Sequence, residues 1–115
     1  MKIAVTSDQD GLNQAVEERF GRCAVFAILD TDSGAMSYVP NRAREDSSGA
    51  GVKAAQQLMD LGVDLLITGK VGPGALEILK EGDVRVESWV AGTVGEALKR
   101  FGGKGGSEQA PLTRC

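Results

Sequence analysis

The sequence predicts an α/β fold built on one mixed sheet, and three stretches of the 115-residue chain carry that prediction. The first runs from Val63 to Lys80. Here the apolar run Leu65-Leu66-Ile67 follows Asp64, leads into Thr68 and a glycine crest, and gives way to Ala75, Leu76 and Leu79 at helical spacing. A short apolar run between polar residues reads as a strand covered on both faces. The second stretch, Ala24 to Val39, is two apolar runs joined by a Gly-containing connection, Asp30 to Gly34, which predicts an antiparallel hairpin. The third is the stripe Val52, Ala55, Leu58 and Met59 just ahead of Asp64, a helix placed to cross from one strand to the next.

The remaining elements fall into place around these. Lys2 to Thr6 reads as strand one, ended by the turn-forming residues Ser7 to Gly11. Leu12, Ala15, Val16 and Phe20 form either a short or irregular helix or an ordered loop anchored by Phe20. Strand two covers Ala24 to Leu29 and strand three Ala35 to Val39, with Pro40 ending the ladder. The polar, Gly-rich run Asn41 to Gly51 is a loop over the sheet edge. Pro73 suits the first turn of the helix after the crest, and Gly82 stops it. Val84 to Val90 is strand five, with Trp89 covering the end of the core. Thr93 and Glu96 have capping-box spacing ahead of Val94, Ala97, Leu98 and Phe101, the apolar face of the last helix. One domain is expected over residues 1–101, followed by a disordered tail, 102–115, rich in glycine and without period.

Composition removes several classes of function. Thirteen basic and sixteen acidic residues give a formal charge of −3, which argues against a phosphate-binding surface for nucleic acid. No apolar run approaches membrane-span length, and the N-terminus lacks the pattern of a secretory signal, so a cytoplasmic protein is expected. The chain has no histidine, which excludes Cys-His and Ser-His nucleophile pairs. Its two cysteines, Cys23 and Cys115, form no C-x-x-C motif.

Two stretches are candidates for binding. In the crest, Gly69, Gly72 and Gly74 match neither a P-loop nor a dinucleotide fingerprint. They either let backbone amides at a helix start hold an anion beside Lys70, or only make a tight connection. In Phe20-Gly21-Arg22-Cys23, Arg22 is able to fork onto an anion or pair with Glu17 or Glu18. Cys23 is either a thiolate ligand to iron or another soft metal, or a buried small hydrophobe. Arg42 and Arg44 add positive charge from the loop after strand three. Asp8 and Asp10 are two carboxylates in a turn, a weak pattern for a cation.

From Met1 to Phe101 these residues resemble the nitrogenase accessory family that binds the iron-molybdenum cofactor or its precursors. The likeness rests on the initial IAV strand, Phe20-Gly21-Arg22 before an apolar strand, the polar loop before a helix, VDLLITGKVGPGALEIL, and the ending AGTVGEALKRF. It implies a three-layer α/β/α domain with a ribonuclease H-like mixed five-stranded sheet, and no nuclease activity, since that likeness is one of topology. It further implies transient, noncatalytic binding or carriage of an iron-molybdenum or iron-sulfur type cluster. Arg22, Arg42, Arg44, Gly69, Lys70, Gly72 and Gly74 would surround the cluster, and Cys23 would be its metal ligand. Expected partners are cluster assembly or acceptor proteins and a second copy of the chain. The sequence lacks a histidine near Asn41 that many relatives carry. The alternative is therefore a diverged regulatory or binding protein that keeps the fold without a cluster.

Overall fold

The structure, a computed structural model, describes residues 1–45 and 49–102. Five strands, β1 (Lys2–Ser7), β2 (Val25–Asp30), β3 (Met36–Pro40), β4 (Leu65–Thr68) and β5 (Arg85–Ser88), form one sheet in the order β3-β2-β1-β4-β5. β1 is antiparallel to β2, and β2 to β3, whereas β1, β4 and β5 run parallel. The expected hairpin and crossovers therefore combine into the expected mixed sheet. Pro40 is the last residue of β3 rather than a break before it, paired with Val25 on the sheet edge, where a missing N–H costs no ladder bond.

Side-chain alternation along the strands divides the core in two. Ala4, Phe26, Ile28 and Leu66 point to the face covered by α1 (Ala50–Asp60) and α2 (Pro73–Glu81), where they meet Leu58 and Leu79. Ile3, Val5, Ala27, Leu65 and Ile67 point to the other face, covered by Val94, Ala97 and Leu98 of α3 (Val94–Gly102). Leu66 and Ile67 are both fully buried. Each contributes about 1.5–3 kcal/mol through removal of apolar surface from water. Trp89 closes the α3 side as expected, packed edge-on against Phe101 with centroids 6.2 Å apart.

The segment between β1 and β2 is an ordered strap and not a helix. Val16 N–H donates to Gly92 O (3.1 Å), Glu17 N–H to Thr6 O (2.8 Å) and Phe20 N–H to Lys70 O (3.2 Å), while Glu18 O accepts from Lys70 N–H (2.6 Å). The strap therefore lies across the carboxyl ends of β1 and β4. Its polar backbone is further satisfied by the Thr6 hydroxyl, which donates to Glu17 O at 2.7 Å and lies 2.8 Å from the Thr68 hydroxyl. Phe20 anchors the strap in the α1/α2 core at 1% exposure, then turns through a short 3₁₀ segment, Phe20–Arg22, into β2.

Gly102, the last described residue, still belongs to α3. The expected tail and Cys115 lie outside the described residues. No helix among the described residues is long and apolar enough to cross a membrane.

Candidate functional site

The parallel strands β1, β4 and β5 end at one edge of the sheet, where β2 begins and β3 finishes. Five pieces of chain converge there: the strap, the 3₁₀ turn, the loop after β3, and the first turns of α1 and α2. Small residues allow that convergence. A Cβ on Gly21 would stand 2.9 Å from Gly51 N, one on Gly51 would touch Ala75 Cβ at 3.4 Å, and one on Gly74 would press on Val52 at 3.3 Å. The first turns of α1 and α2 thus lie side by side against the 3₁₀ turn. Their N-caps, Gly49 and Gly72, make no side-chain cap hydrogen bond, and neither first turn carries an acidic residue. Both positive dipole ends consequently face this edge with no acidic side chain in either first turn.

Backbone links set four cations in sequence along the same edge. Lys70 is bridged to Arg19 in parallel register. Arg19 and Arg22 close one turn, with Arg22 N–H donating to Arg19 O at 3.3 Å, and Arg22 Nη1 donates to Arg44 O at 2.8 Å. All four side chains are exposed. Of the expected cations, the structure gathers Arg22, Arg44 and Lys70. Arg42 instead faces a groove of about 250 Å³ on the flank of α1, with Lys53, Gln56 and Asp60, and its N–H is held by Gln57 Oε1 at 3.1 Å. Arg19 was missed in the sequence, where nothing marks it as a neighbour of Lys70.

Cys23 sits beneath this rim with no solvent exposure. Its thiol donates to Phe20 O at 3.3 Å, and burial pushes its pKa up from 9.0 to about 12. The residue expected as a thiolate ligand is thus a buried thiol that keeps its proton at neutral pH. Asn41, buried as well, is the other residue that sequence reasoning passed over. Its Nδ2 donates to Gly21 O (3.1 Å) and Cys23 O (2.9 Å), and its Oδ1 accepts from Ala43 N–H (3.0 Å). Asn41 thereby ties the loop bearing Arg44 to the turn bearing Arg22.

The crest glycines separate into three roles. A Cβ on Gly69 would overlap the Glu18 carbonyl oxygen, so Gly69 serves the chain's own strap. Gly74 serves helix packing, and Gly72 faces open space at the start of α2. On the strap side, burial and the hydrogen-bonded Glu17 carboxyl raise the pKa of Asp8. Burial alone would also raise Glu17, but the Arg19 N–H and the Asp8 carboxyl bring it below its ordinary value. Asp8 thus pairs with Glu17, not with Asp10. Among the described residues no group of three or more Cys, Asp or Glu side chains is placed to hold a metal ion.

Comparison with known proteins bears on the whole of this architecture. The apo orange protein of Desulfovibrio gigas is 40% identical and superposes with a TM-score of 0.83, covering 87% of this chain and 85% of that one. A protein from Thermotoga described as a putative NifB protein is 39% identical with a TM-score of 0.77, covering 88% and 86%. An uncharacterised protein of Methanocaldococcus jannaschii is 29% identical over 104 residues, 88% of this chain and 85% of that protein. Residues 1–104 match the dinitrogenase iron-molybdenum cofactor family, and the chain belongs to that family.

Proposed function

We propose that this protein binds and carries an anionic iron-molybdenum or iron-sulfur type cluster without transforming it. The observation that carries this reading is the convergence, at one sheet edge, of Arg22, Arg44 and Lys70 with two helix starts that have no side-chain cap. Cationic side chains and helix N-termini both favour negative charge, and an exposed rim suits a cargo that is taken up and passed on. Gly72 leaves room at the α2 start, and Gly69 and Gly74 hold the rim in shape. Arg42 belongs to the outer margin. Cys23 joins as a sulfur ligand only in a state with the turn opened, which makes charge the leading attraction. The ribonuclease H-like topology implied by the family resemblance belongs to the same reading, and the strand order supports it. So do a cytoplasmic location, partners among cluster assembly and acceptor proteins, and a second copy of the chain as a further partner.

A second reading, a regulatory or binding protein that keeps the fold without a cluster, is favoured by the burial of Cys23. Anaerobic equilibrium transfer of an iron-sulfur cluster from a thiolate-ligated donor separates the two. The carrier reading expects uptake by the folded protein, weakened in Arg22→Ala, and more so at low salt because the rim is exposed. Cys23→Ser reduces uptake only if the turn opens to ligate. Absence of uptake by the wild type, or wild-type affinity in Arg22→Ala, selects the second reading.

A further inference from the structure

Resting on the reading of this edge as an anion site, we infer that Arg19 and Lys70 form a two-cation clamp specific for a multiply charged anion. Lys70 N–H donates to Glu18 O at 2.6 Å and Phe20 N–H donates to Lys70 O at 3.2 Å, which makes Arg19 the residue paired with Lys70. Side chains of paired residues in a parallel ladder leave the backbone on the same face, from chains about 4.8 Å apart. Two positive side chains therefore start from neighbouring backbone positions on one face, an arrangement unfavourable in itself.

The fold does little to relieve this repulsion. Arg19 meets Glu17 Oε2 only through Nε at 3.7 Å, with the arginine side chain 69% exposed. At that distance, with the guanidinium largely in water although the Glu17 side chain is only 12% exposed, the pair is weak. The Glu17 carboxylate is also engaged by the Arg19 backbone N–H at 2.8 Å and by the Asp8 carboxyl. The Lys70 ammonium has no hydrogen-bond or ion-pair partner among the described residues. Yet the pairing is enforced, because only a glycine at position 69 lets Lys70 approach the Glu18 carbonyl so closely. An anion bearing acceptor oxygens or sulfurs on two sides relieves the repulsion by accepting from both cations. The planar Arg19 fork meets one edge of it, and the Lys70 point charge the other. A dianion gains more than a monoanion from meeting both cations, so the clamp discriminates by charge.

The test uses the full-length chain and two tetrahedral probes of similar size, inorganic molybdate as the dianion and perrhenate as the monoanion. Binding is measured by calorimetry at fixed ionic strength for the wild type, Arg19→Gln, Lys70→Gln, the double variant, and Arg100→Gln on α3 as a charge control. Thermal unfolding confirms that each variant is folded. Molybdate affinity is expected to fall about tenfold in each single variant, the loss corresponding to one charge-assisted hydrogen bond. The double variant is expected to lose less than the product of the two, because both cations hold one ligand. Perrhenate should bind weakly throughout, and Arg100→Gln should match the wild type. Wild-type molybdate affinity in Arg19→Gln or Lys70→Gln overturns the clamp, as does equal affinity for both probes. If the wild type takes up a cluster while these variants do so equally well, the clamp falls and the carrier reading stands. If molybdate binding follows the expected pattern while no cluster is taken up, the clamp stands and the carrier reading falls. If neither probe nor cluster binds, both fall.

Discussion

Helix α3 and the pair α1 and α2 cover opposite faces of the same sheet, and their starts are built differently. Ahead of α3, Glu96 Oε1 accepts from Thr93 N–H at 2.8 Å and Thr93 Oγ1 accepts from Glu96 N–H at 3.1 Å. The strap adds two carbonyls, Gln14 O and Leu12 O, which accept from Val94 and Gly95 N–H at 2.8 Å each. The first-turn donors of α3 are thus engaged within the chain. At α1 and α2 glycine occupies both N-caps, with no side-chain cap. Capping is worth about 1 kcal/mol where a side chain supplies it. Among the described residues a side chain caps α3 alone, so the two faces differ in how their helix starts are closed.

Alkaline pH should break this comparison most strongly, because the buried thiol belongs to the rim side alone. Cys23 is held near 12 in the fold against 9.0 ordinarily, so from about pH 9 upward the unfolded chain releases a proton that the native chain keeps. Stability is therefore fully present below about pH 9 and declines as pH rises towards about 12. Urea unfolding across that range should show the decline in the Cys115→Ser background and a smaller one when Cys23→Ala is added. The same slope in both backgrounds would remove Cys23 as the cause.

Thr93→Ala comes next, with an expected loss of about 1 kcal/mol. Trp89, the single tryptophan, packs against Phe101 of α3 and reports that unfolding directly by fluorescence. Molybdate affinity should be unchanged, since α3 lies on the opposite face; a parallel loss of binding would mean that the two faces are not independent. The smallest effect is expected from Gly72→Ser. Its backbone is extended (φ −64°, ψ 158°) and a Cβ there meets nothing within 4 Å, so the serine hydroxyl is free to cap α2. Stability should rise by a few tenths, about 0.3 kcal/mol, while anion affinity at the rim falls. Unchanged affinity would show that the α2 start takes no part in binding.

Much of the frame was legible before any coordinates. Leu65 to Ile67 is uniformly apolar because β4 is covered on both faces, and Thr93 and Glu96 announce their cap by spacing. The strap was not, because its order comes from backbone bonds to Thr6, Lys70 and Gly92, which leave no side-chain period. Gly69 illustrates the limit for the site. A glycine in a crest signals close approach without naming the neighbour, and here the neighbour is the Glu18 backbone. Arg22 and Arg44 were recognisable as cations, but their union depends on Asn41, a polar loop residue whose burial only the fold reveals. Cys23 left two readings open in the sequence, and its burial is a property of the fold that no residue pattern announces.

The strap has a kinetic consequence. In an open α/β sheet the crevice beyond the strand ends is where a ligand usually sinks. Here Glu17 O, hydrogen-bonded by the Thr6 hydroxyl, already occupies that place. On the carrier reading, a cluster held by charge on the rim outside it keeps one side in water and leaves without displacing the strap. That reading then makes the dissociation rate a matter of local contacts, so that a competing protein able to reach the exposed side would draw the cluster away.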